Sequence, residues 1–264
     1  MINLKRISTK SEGLMRYLMV HLLSDKLPLY IVNEHPKSGG TWIGQMLSKA
    51  LDVPFPRNQF PELRSCIMHG HYIRPWGMKN VVILWRDGRD VMVSWYHHCL
   101  FVNQSGRNKP LVNMMRDKLG FSNYDNVSDN LPKFMEFCFT NQPPMRFSWK
   151  DFANSWINVS GVIYTKYENF RQYPTEELQK VVLELTGTKL SYEKALEIVE
   201  EFSFEKQTGR KSGQEQKSSF LRKGIVGDWK NNFTQESCEI FDHFAGKELI
   251  NLGYELNHEW AKLK

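Results

Sequence analysis

Apolar and β-branched residues concentrate in three short runs, at 29–32, 81–85 and 162–164, each followed by a polar loop and a helix-compatible stretch. Runs this short read as buried strands, and their alternation with helical segments predicts a parallel sheet. Apolar positions recur at helical spacing over 41–51, 90–98, 175–186, 192–201 and 236–249. The expected fold class is α/β: a single domain over 1–264, with a central parallel sheet flanked by helices. A chain of 264 residues can bury such a core without dividing.

Two regions break the alternation. Between 99 and 149 the periodicity weakens, asparagine is frequent, and Gly106, Gly120, Pro132 and the pair Pro143-Pro144 punctuate the segment. Long irregular insertions in α/β domains serve as lids or binding loops, so 99–149 is the expected wall for a second substrate; a surface excursion without a role is the plain alternative. A second polar stretch, 207–219, carries Gly209, Lys211, Gly213 and Lys217 and reads as a mobile flap leading into Phe220. Residues 1–28 read as an N-terminal helical extension whose apolar patch, 14–23, is interrupted by Arg16 and His21. That patch is too short and too polar to span a bilayer, which predicts an amphipathic helix on the body and no stable membrane insertion. No small-residue cleavage site follows it, so the chain is expected to be soluble and unprocessed.

Candidate chemistry begins directly after the first apolar run, at Pro36-Lys37-Ser38-Gly39-Gly40-Thr41-Trp42. A glycine-containing loop between a strand and a helix aims backbone N–H groups and a helix dipole at one anion. Lys37 adds a mobile positive charge, and Ser38 and Thr41 add hydroxyl donors. The loop is P-loop-like without matching G-x-x-x-x-G-K-[ST], because its lysine precedes the glycines. A polar turn ending at a threonine helix cap is the plain structural reading.

The net charge of +6 is spread along the chain without a basic tail, which fits a small anionic ligand and excludes a non-specific nucleic-acid binder. Cys66, Cys99, Cys138 and Cys238 are scattered with no C-x-x-C pair, as expected of reduced thiols in a cytoplasmic protein.

Two further motifs corroborate the loop. After the run at 81–85 comes Arg86-Asp-Gly-Arg-Asp-Val-Met-Val-Ser94, where a strand end supplies an arginine and the next helix a serine. Arg86 is suited to clamp a second phosphate with two parallel hydrogen bonds; a surface salt-bridge cluster of Arg86, Asp87, Arg89 and Asp90 is the alternative. Near the C-terminus, Phe220-Leu-Arg-Lys-Gly-Ile-Val-Gly-Asp-Trp-Lys230 gathers Arg222, Lys223, Lys230, two glycines and two aromatics. Glycine lets backbone approach a ligand closely, and an aromatic ring can stack on a base.

Taken together, the three segments resemble those of the cytosolic sulfotransferases, which use 3′-phosphoadenosine 5′-phosphosulfate (PAPS) as donor and release the bisphosphate PAP. Residues 36–42 resemble P-K-S-G-T-T-W, residues 86–94 the 3′-phosphate motif, and residues 222–234 R-K-G-x-x-G-D-W-K-N-x-F-T. The resemblance implies that Lys37, Ser38, Gly39, Gly40, Thr41 and Trp42 surround the 5′-phosphosulfate and the edge of the adenine. It assigns the 3′-phosphate to Arg86 and Ser94 with Arg222, Lys223 and Gly224. Tyr167, in Tyr-Glu-Asn, resembles the tyrosine of Y-E-D, and Phe204 and Phe220 resemble the adenine-side aromatics, each of which is equally a core residue in the plain reading.

Four departures stand out. Gly40 replaces the threonine of the family loop, and Gly88 the proline of R-D-P-R-D. The dimerisation pattern K-x-x-x-T-V-x-x-x-E survives only as Lys230, Thr234 and Glu239, with Gln235 at the valine, so a monomer or weak homodimer is expected. His69-Gly-His71 stands where the family has K-T-H, which makes His71 the expected general base and His69, in the lysine position, the reserve candidate. Histidine titrates near neutrality and suits proton removal from an attacking hydroxyl. The alternatives are a structural histidine or a metal pair with His97 and His98.

The expected reaction is in-line transfer of a sulfuryl group from PAPS to a hydroxyl or amine, with Lys37 and His71 as catalytic groups and no metal. Two other readings stay open: a P-loop-like nucleotide kinase, for which Asp87 or Asp90 would have to hold magnesium, and a non-catalytic adenosine-bisphosphate-binding protein. Phe101, Tyr124, Phe147 and Trp149 suit a pocket for a phenol, an alcohol or a lipid, and equally stacking on a glycan.

Overall fold

The sheet is built from β1 (Leu29–Glu34), β2 (Cys66–Gly70), β3 (Val81–Trp85) and β4 (Ile163–Lys166), in the order β2-β1-β3-β4 and parallel throughout. β1 is central because it is apolar on both faces: Leu29, Ile31 and Val32 are fully buried, and it pairs with β2 from Leu29 to Asn33 and with β3 from Ile31 to Glu34. The chain crosses to one side of β1 for β2 and to the other for β3, so the carboxyl end of β1 is a topological switch point, where α/β sheets bind ligands. The computed structural model describes residues 4–57, 59, 63–142 and 145–262. Pro143 and Pro144 lie outside the described residues.

The chain divides into two compact units. The first comprises Met1–Trp85 and Asn158–Ser203. It holds the sheet together with α1 (Leu4–Leu18), α2 (Gly40–Leu51), α7 (Tyr167–Gln172), α8 (Pro174–Thr186) and α9 (Tyr192–Glu201). A π-helical turn over Met19–Leu23 continues α1 and buries Met19, Val20 and His21. The core of this unit joins Val32, Ile67, Val82 and Leu84 of the strands to Ile43, Met46 and Leu47 of α2 and to Leu178, Val181 and Ile198 of α8 and α9.

The second unit comprises Arg86–Ile157 and Phe204–Lys264. It contains α3 (Gly88–Leu100), α4 (Lys109–Leu119), α5 (Val127–Asn141), α6 (Trp149–Trp156), α10 (Phe204–Thr208) and α11 (Gln235–Asn251). The irregular insertion expected between 99 and 149 is instead largely helical. Val112, Met115 and Leu119 on α4, with Leu131, Phe134, Met135 and Cys138 on α5, enter the core beside Trp95, Tyr96, Phe241 and Trp260. α4 buries only Val112, Met115 and Leu119, and α5 carries Pro132 in its interior, so neither leaves a long unbroken period in the sequence. The stretch expected to be a mobile flap is also tied down: Arg210 donates to the carbonyls of Gln214, Leu221 and Arg222 at 2.7, 2.5 and 2.8 Å, and Gly213 N–H donates to Lys223 O at 2.9 Å.

The four cysteines are free, buried thiols. Among the described residues no helix is long and apolar enough to cross a membrane.

Gly88 opens α3 behind Asp87, whose carboxylate caps the helix by accepting from Arg89 N–H at 2.9 Å. Proline is ordinarily favoured at such a first position. Here a Cβ would stand 2.7 Å from Phe241 Cζ and 2.8 Å from the Trp149 ring, because two large rings fill the space in front of the helix. Gly88→Pro, and equally Gly88→Ala, is therefore expected to destabilise the protein by about 1–3 kcal/mol, the usual cost of overpacking a core. The midpoint of urea denaturation measures it, and an unchanged midpoint for both variants would show that the rings give way freely.

Candidate active site

The chain passes from β1 to α2 through residues 35–39, and two of these adopt left-handed backbone: Lys37 at φ 76° and Gly39 at φ 106°. At Gly39 no side chain fits, since a Cβ would approach Tyr167 Cδ2 to 2.8 Å. A lysine held in this region costs on the order of 1 kcal/mol, strain of the kind that marks functional turns. Ser38 N–H donates to His35 O at 3.2 Å, and Trp42 and Ile43 N–H donate to Gly39 O at 2.9 and 3.2 Å, so α2 begins directly from the turn. Ser38 is buried, while Lys37, Thr41 and Trp42 are partly exposed.

Against this turn stands a group that the sequence reading did not single out. Glu34, the last residue of β1, is 4% exposed, and its Oε2 accepts from Gly40 N–H at 2.5 Å. Its Oε1 lies 3.1 Å from His69 Nε2, and its backbone carbonyl lies 2.9 Å from His71 Nδ1. The His69 and His71 rings meet edge to face at 5.0 Å. Burial works to raise the Glu34 pKa, but the hydrogen bond and charge of His69, with His71 and Gly40 N–H, outweigh it and hold the carboxyl below its usual range. For His71 burial wins: with His69 beside it, it lowers the pKa to about 4 despite the favourable pull of Glu34. A carbonyl oxygen can only accept, so His71 Nδ1 carries the hydrogen and the neutral ring keeps its lone pair on Nε2. The ligand atoms of Glu34, His69 and His71 all lie within 4.8 Å of one another, so this is also the group of described residues with donors close enough to share a cation.

Gly40, the departure from threonine in the loop, is explained by these neighbours. A Cβ at Gly40 would fall 2.7 Å from Glu34 Cδ and 2.8 Å from His69 Nε2. On the other flank, Trp42 donates from Nε1 to Phe202 O at 2.8 Å, which fixes its ring edge-on to Tyr167 at 5.9 Å and to Phe170 at 6.2 Å. The structure thus gathers the loop, His69, His71, Trp42 and Tyr167 in the first unit.

In the second unit the other two motifs are tied together through Asp90. Its Oδ2 accepts from Gly227 N–H at 2.7 Å, its Oδ1 accepts from Trp229 N–H at 2.9 Å, and Arg86 Nη2 lies 4.0 Å from Oδ2. Burial dominates at Asp90 and raises its pKa, against the pull of Arg86. Arg89 forms a structural clamp, bonded to Asp87 at 2.8 Å and to Glu255 at 2.5 Å and stacked on Trp229 at 3.8 Å. The salt-bridge cluster weighed for Arg86–Asp90 is therefore present, and it joins the two motifs rather than decorating a surface. Ser94 lies buried on α3, two turns beyond Arg86.

Arg222 pairs with Glu215 and, at 2.5 Å, with Asp228, and Lys223 meets Asp228 at 2.7 Å. Burial opposes ionisation of Asp228, but Lys223 and Arg222 prevail and hold its pKa near the low end, at about 2. A polar cavity of about 280 Å³ is lined by Arg222, Lys223, Lys217, His97, Asp125 and Asn231, among others. His97 sits 3.8 Å from Glu215; burial, helped by Arg222, pushes its pKa down to about 3. His98 stacks on Trp95 at 5.1 Å, so neither histidine of this pair forms part of a metal-ligating cluster among the described residues. Gly224, at φ 64°, is overlain by the Phe204 ring, where a Cβ would approach to 2.5 Å; Phe220 is 42% exposed.

The sulfotransferase domain family matches this chain over residues 78–253. Sulfotransferase 1C2 of Rattus norvegicus is 31% identical over 257 residues, covering 83% of this chain and 82% of that protein. Sulfotransferase 1C2 of Homo sapiens is 30% identical over 188 residues; the match takes in 65% of this chain and 56% of the human protein. In fold, the chain is similar to the crystal structure of mouse sulfotransferase SULT7A1 complexed with PAP, with a TM-score of 0.64, 18% identity and 94% of each chain covered.

Replacing Asp90 with asparagine leaves one of the two N–H groups without an acceptor. Asp90→Asn is expected to cost about 2 kcal/mol, in the range for hydrogen bonds to a charged group. Urea denaturation reports the loss; a variant as stable as the parent would mean that Gly227 and Trp229 are held in place by other contacts.

Proposed function

Because the chain belongs to the sulfotransferase family, we propose that it transfers a sulfuryl group from PAPS to a hydroxyl or amine of a small-molecule acceptor and releases PAP. The observation that carries the reading is the packing of the His69–His71 pair against a strained lysine-serine-glycine turn at the carboxyl end of β1. A turn of this kind binds an anion, and a neutral imidazole beside it can take a proton from an incoming nucleophile. The structural neighbour solved with PAP supports the same donor.

In the proposed step the acceptor oxygen or nitrogen attacks sulfur while the bond from sulfur to the bridging phosphate oxygen breaks. The acceptor proton passes to His71 Nε2. Lys37 meets the charge that develops on the bridging oxygen, and Ser38, Thr41 and backbone N–H groups of the turn bind the equatorial oxygens. Trp42, Tyr167, Phe204 and Phe220 serve the adenine, and Gly39 lets the backbone come close, while Gly40 leaves room for the Glu34 and His69 side chains that hold the turn. The 3′-phosphate falls to Arg86, Ser94, Arg222, Lys223 and Gly224, a role supported by the motifs that carry them and by the Asp90 contacts that join those motifs. The scheme routes no step through a metal.

The whole chain, 1–264, acts in this reading as one catalytic domain, with 99–149 on the acceptor side and a cytoplasmic place of work. Gln235, at the valine of the dimerisation pattern, donates to Glu239 at 2.7 Å and to Ala261 O at 2.8 Å, which turns a polar side chain inward and favours a monomer or weak homodimer.

Transfer from PAPS to a mixed panel of phenols, alcohols, amines and glycans, with products read by mass, tests the reading. Lys37→Ala is expected to slow transfer roughly a hundredfold, equivalent to about 3 kcal/mol of electrostatic stabilisation. His71→Ala is expected to lower kcat by on the order of 10²–10⁴-fold while calorimetric binding of PAP stays nearly unchanged. Activity that survives His71→Ala but disappears in His69→Ala would move the base to His69. Turnover of ATP that depends on magnesium would favour a kinase instead.

The His71 environment also sets the pH response. A base with its pKa lowered to about 4 from 6.5 is in its working, neutral form above that value and is lost only as pH falls through it. The kcat profile is therefore expected to run flat from about pH 6 to pH 8, with no histidine-like acid limb near neutrality. An inflection close to 6.5 would show that His71 is not the base, or is not shielded during turnover.

A further inference from the structure

We propose that Glu34 is the positioning residue of the transfer site, a role that rests on the sulfotransferase reading. Two departures noted in the sequence, Gly40 in the loop and His69 in the lysine position, converge on this one side chain. One carboxylate oxygen accepts from Gly40 N–H at 2.5 Å and the other meets His69 Nε2 at 3.1 Å, while the backbone carbonyl accepts from His71 Nδ1 at 2.9 Å. The Glu34 side chain therefore fixes the first turn of α2 and the orientation of His69, while the backbone carbonyl at the same position sets the tautomer of His71. Outer partners of this kind set ring direction and proton placement for the groups they hold, and their loss commonly costs ten- to a hundredfold in activity.

The fit is mutual. Gly40 has no room for a side chain because the Glu34 carboxyl and the His69 ring occupy it, at 2.7 and 2.8 Å from where a Cβ would stand. Glu34 in turn is 4% exposed, and its two oxygens are bonded to partners that the same arrangement supplies. The Gly40 N–H is consequently aimed at protein, not at the ligand, so the remaining donors of the turn and the Lys37 ammonium carry the anion. His69 takes over the space of the family lysine as a partner of Glu34, held near the reacting atoms without being the base.

Glu34→Gln keeps the shape but accepts at only one of the two positions, so either the hydrogen bond to Gly40 N–H is lost or His69 must turn to the tautomer that accepts at Nε2. Its kcat is expected to fall by about 10- to 100-fold with the KM for PAPS within about threefold of the parent and the melting temperature within a few degrees. A purely structural role would instead lower stability and leave the kcat of the folded fraction unchanged. Full kcat in Glu34→Gln would overturn the proposal.

A calorimetric cycle with PAP gives a second test that needs no turnover. Gly40→Ala puts a methyl against the Glu34 carboxyl and the His69 ring and is expected to weaken PAP binding at least about tenfold, whereas the same change made in Glu34→Ala, where the carboxyl is gone and His69 is no longer tethered to it, is expected to cost clearly less than in the parent. Independent, additive losses would overturn the proposal even if the wild-type protein transferred nothing to any acceptor, an outcome that would by itself refute only the sulfotransferase reading.

Discussion

The placement of the site begins with the pairing of β1 to strands on both sides. A strand buried on both faces cannot end in a polar turn within the core, so its last residues must either leave the sheet or find internal partners. Here Asn33 and Glu34 do the latter. Asn33 exchanges two hydrogen bonds with the backbone of Tyr72, at 2.9 and 2.7 Å, and Glu34 binds the first turn of α2 and both histidines. The polar end of one strand thereby locks the chain leaving β2, residues 71 and 72, to the chain leaving β1. The turn at 35–39 can then hold two left-handed residues, because both its ends are anchored.

This anchoring explains why the charged groups at the turn tolerate burial. An isolated carboxylate as enclosed as Glu34 would be expected to protonate. Hydrogen bonds from Gly40 N–H and His69 reverse that preference, and the ionised form becomes the stable one. His71, a few ångströms away, takes the opposite course: it has only a carbonyl to donate to, and burial keeps it neutral. Both groups in this pocket are thus held deprotonated near neutral pH, Glu34 charged and His71 neutral, by the partners each can reach.

Much of this was legible in the chain. β1, β3 and β4 and five of the helices follow directly from apolar runs and helical periods, because residues buried on one face leave a period behind. β2 escaped notice: Cys66, Ile67 and Met68 make only a brief apolar run before His69 and Gly70, and the two histidines drew attention as chemistry rather than as a strand end. α4 and α5 leave a weaker trace, because α4 is short with three buried positions and α5 carries Pro132 within it. At the site, the loop and the two further motifs could be read because their residue types and spacing are those that suit an anion. Glu34 could not, since a glutamate at the end of an apolar run is ordinarily a solvent-facing residue, and only the parallel register that sets Val32 beside His69 reveals its partner. The one signal available was the glycine at 40, which declares that something else fills the space.

The second unit follows a related principle with the signs reversed. Arg222 and Lys223 carry positive charge into a partly buried region, where Asp228, 2% exposed at its side chain, pairs with both and Glu215 pairs with Arg222. Breaking these pairs outright would leave Asp228 buried without compensation, which is costly. In the proposed reading, an anion at Arg222 and Lys223 uses the donors that Asp228 does not occupy, since a guanidinium has five N–H groups and an ammonium three. The carboxylate then orients the cations rather than competing for them. Asp90 plays the same part for the backbone, fixing Gly227 and Trp229 shortly after Arg222, Lys223 and Gly224. In the proposed reading, where these residues take the 3′-phosphate, preorganisation of this kind reduces the ordering cost of binding, which is what buried acidic residues would contribute there.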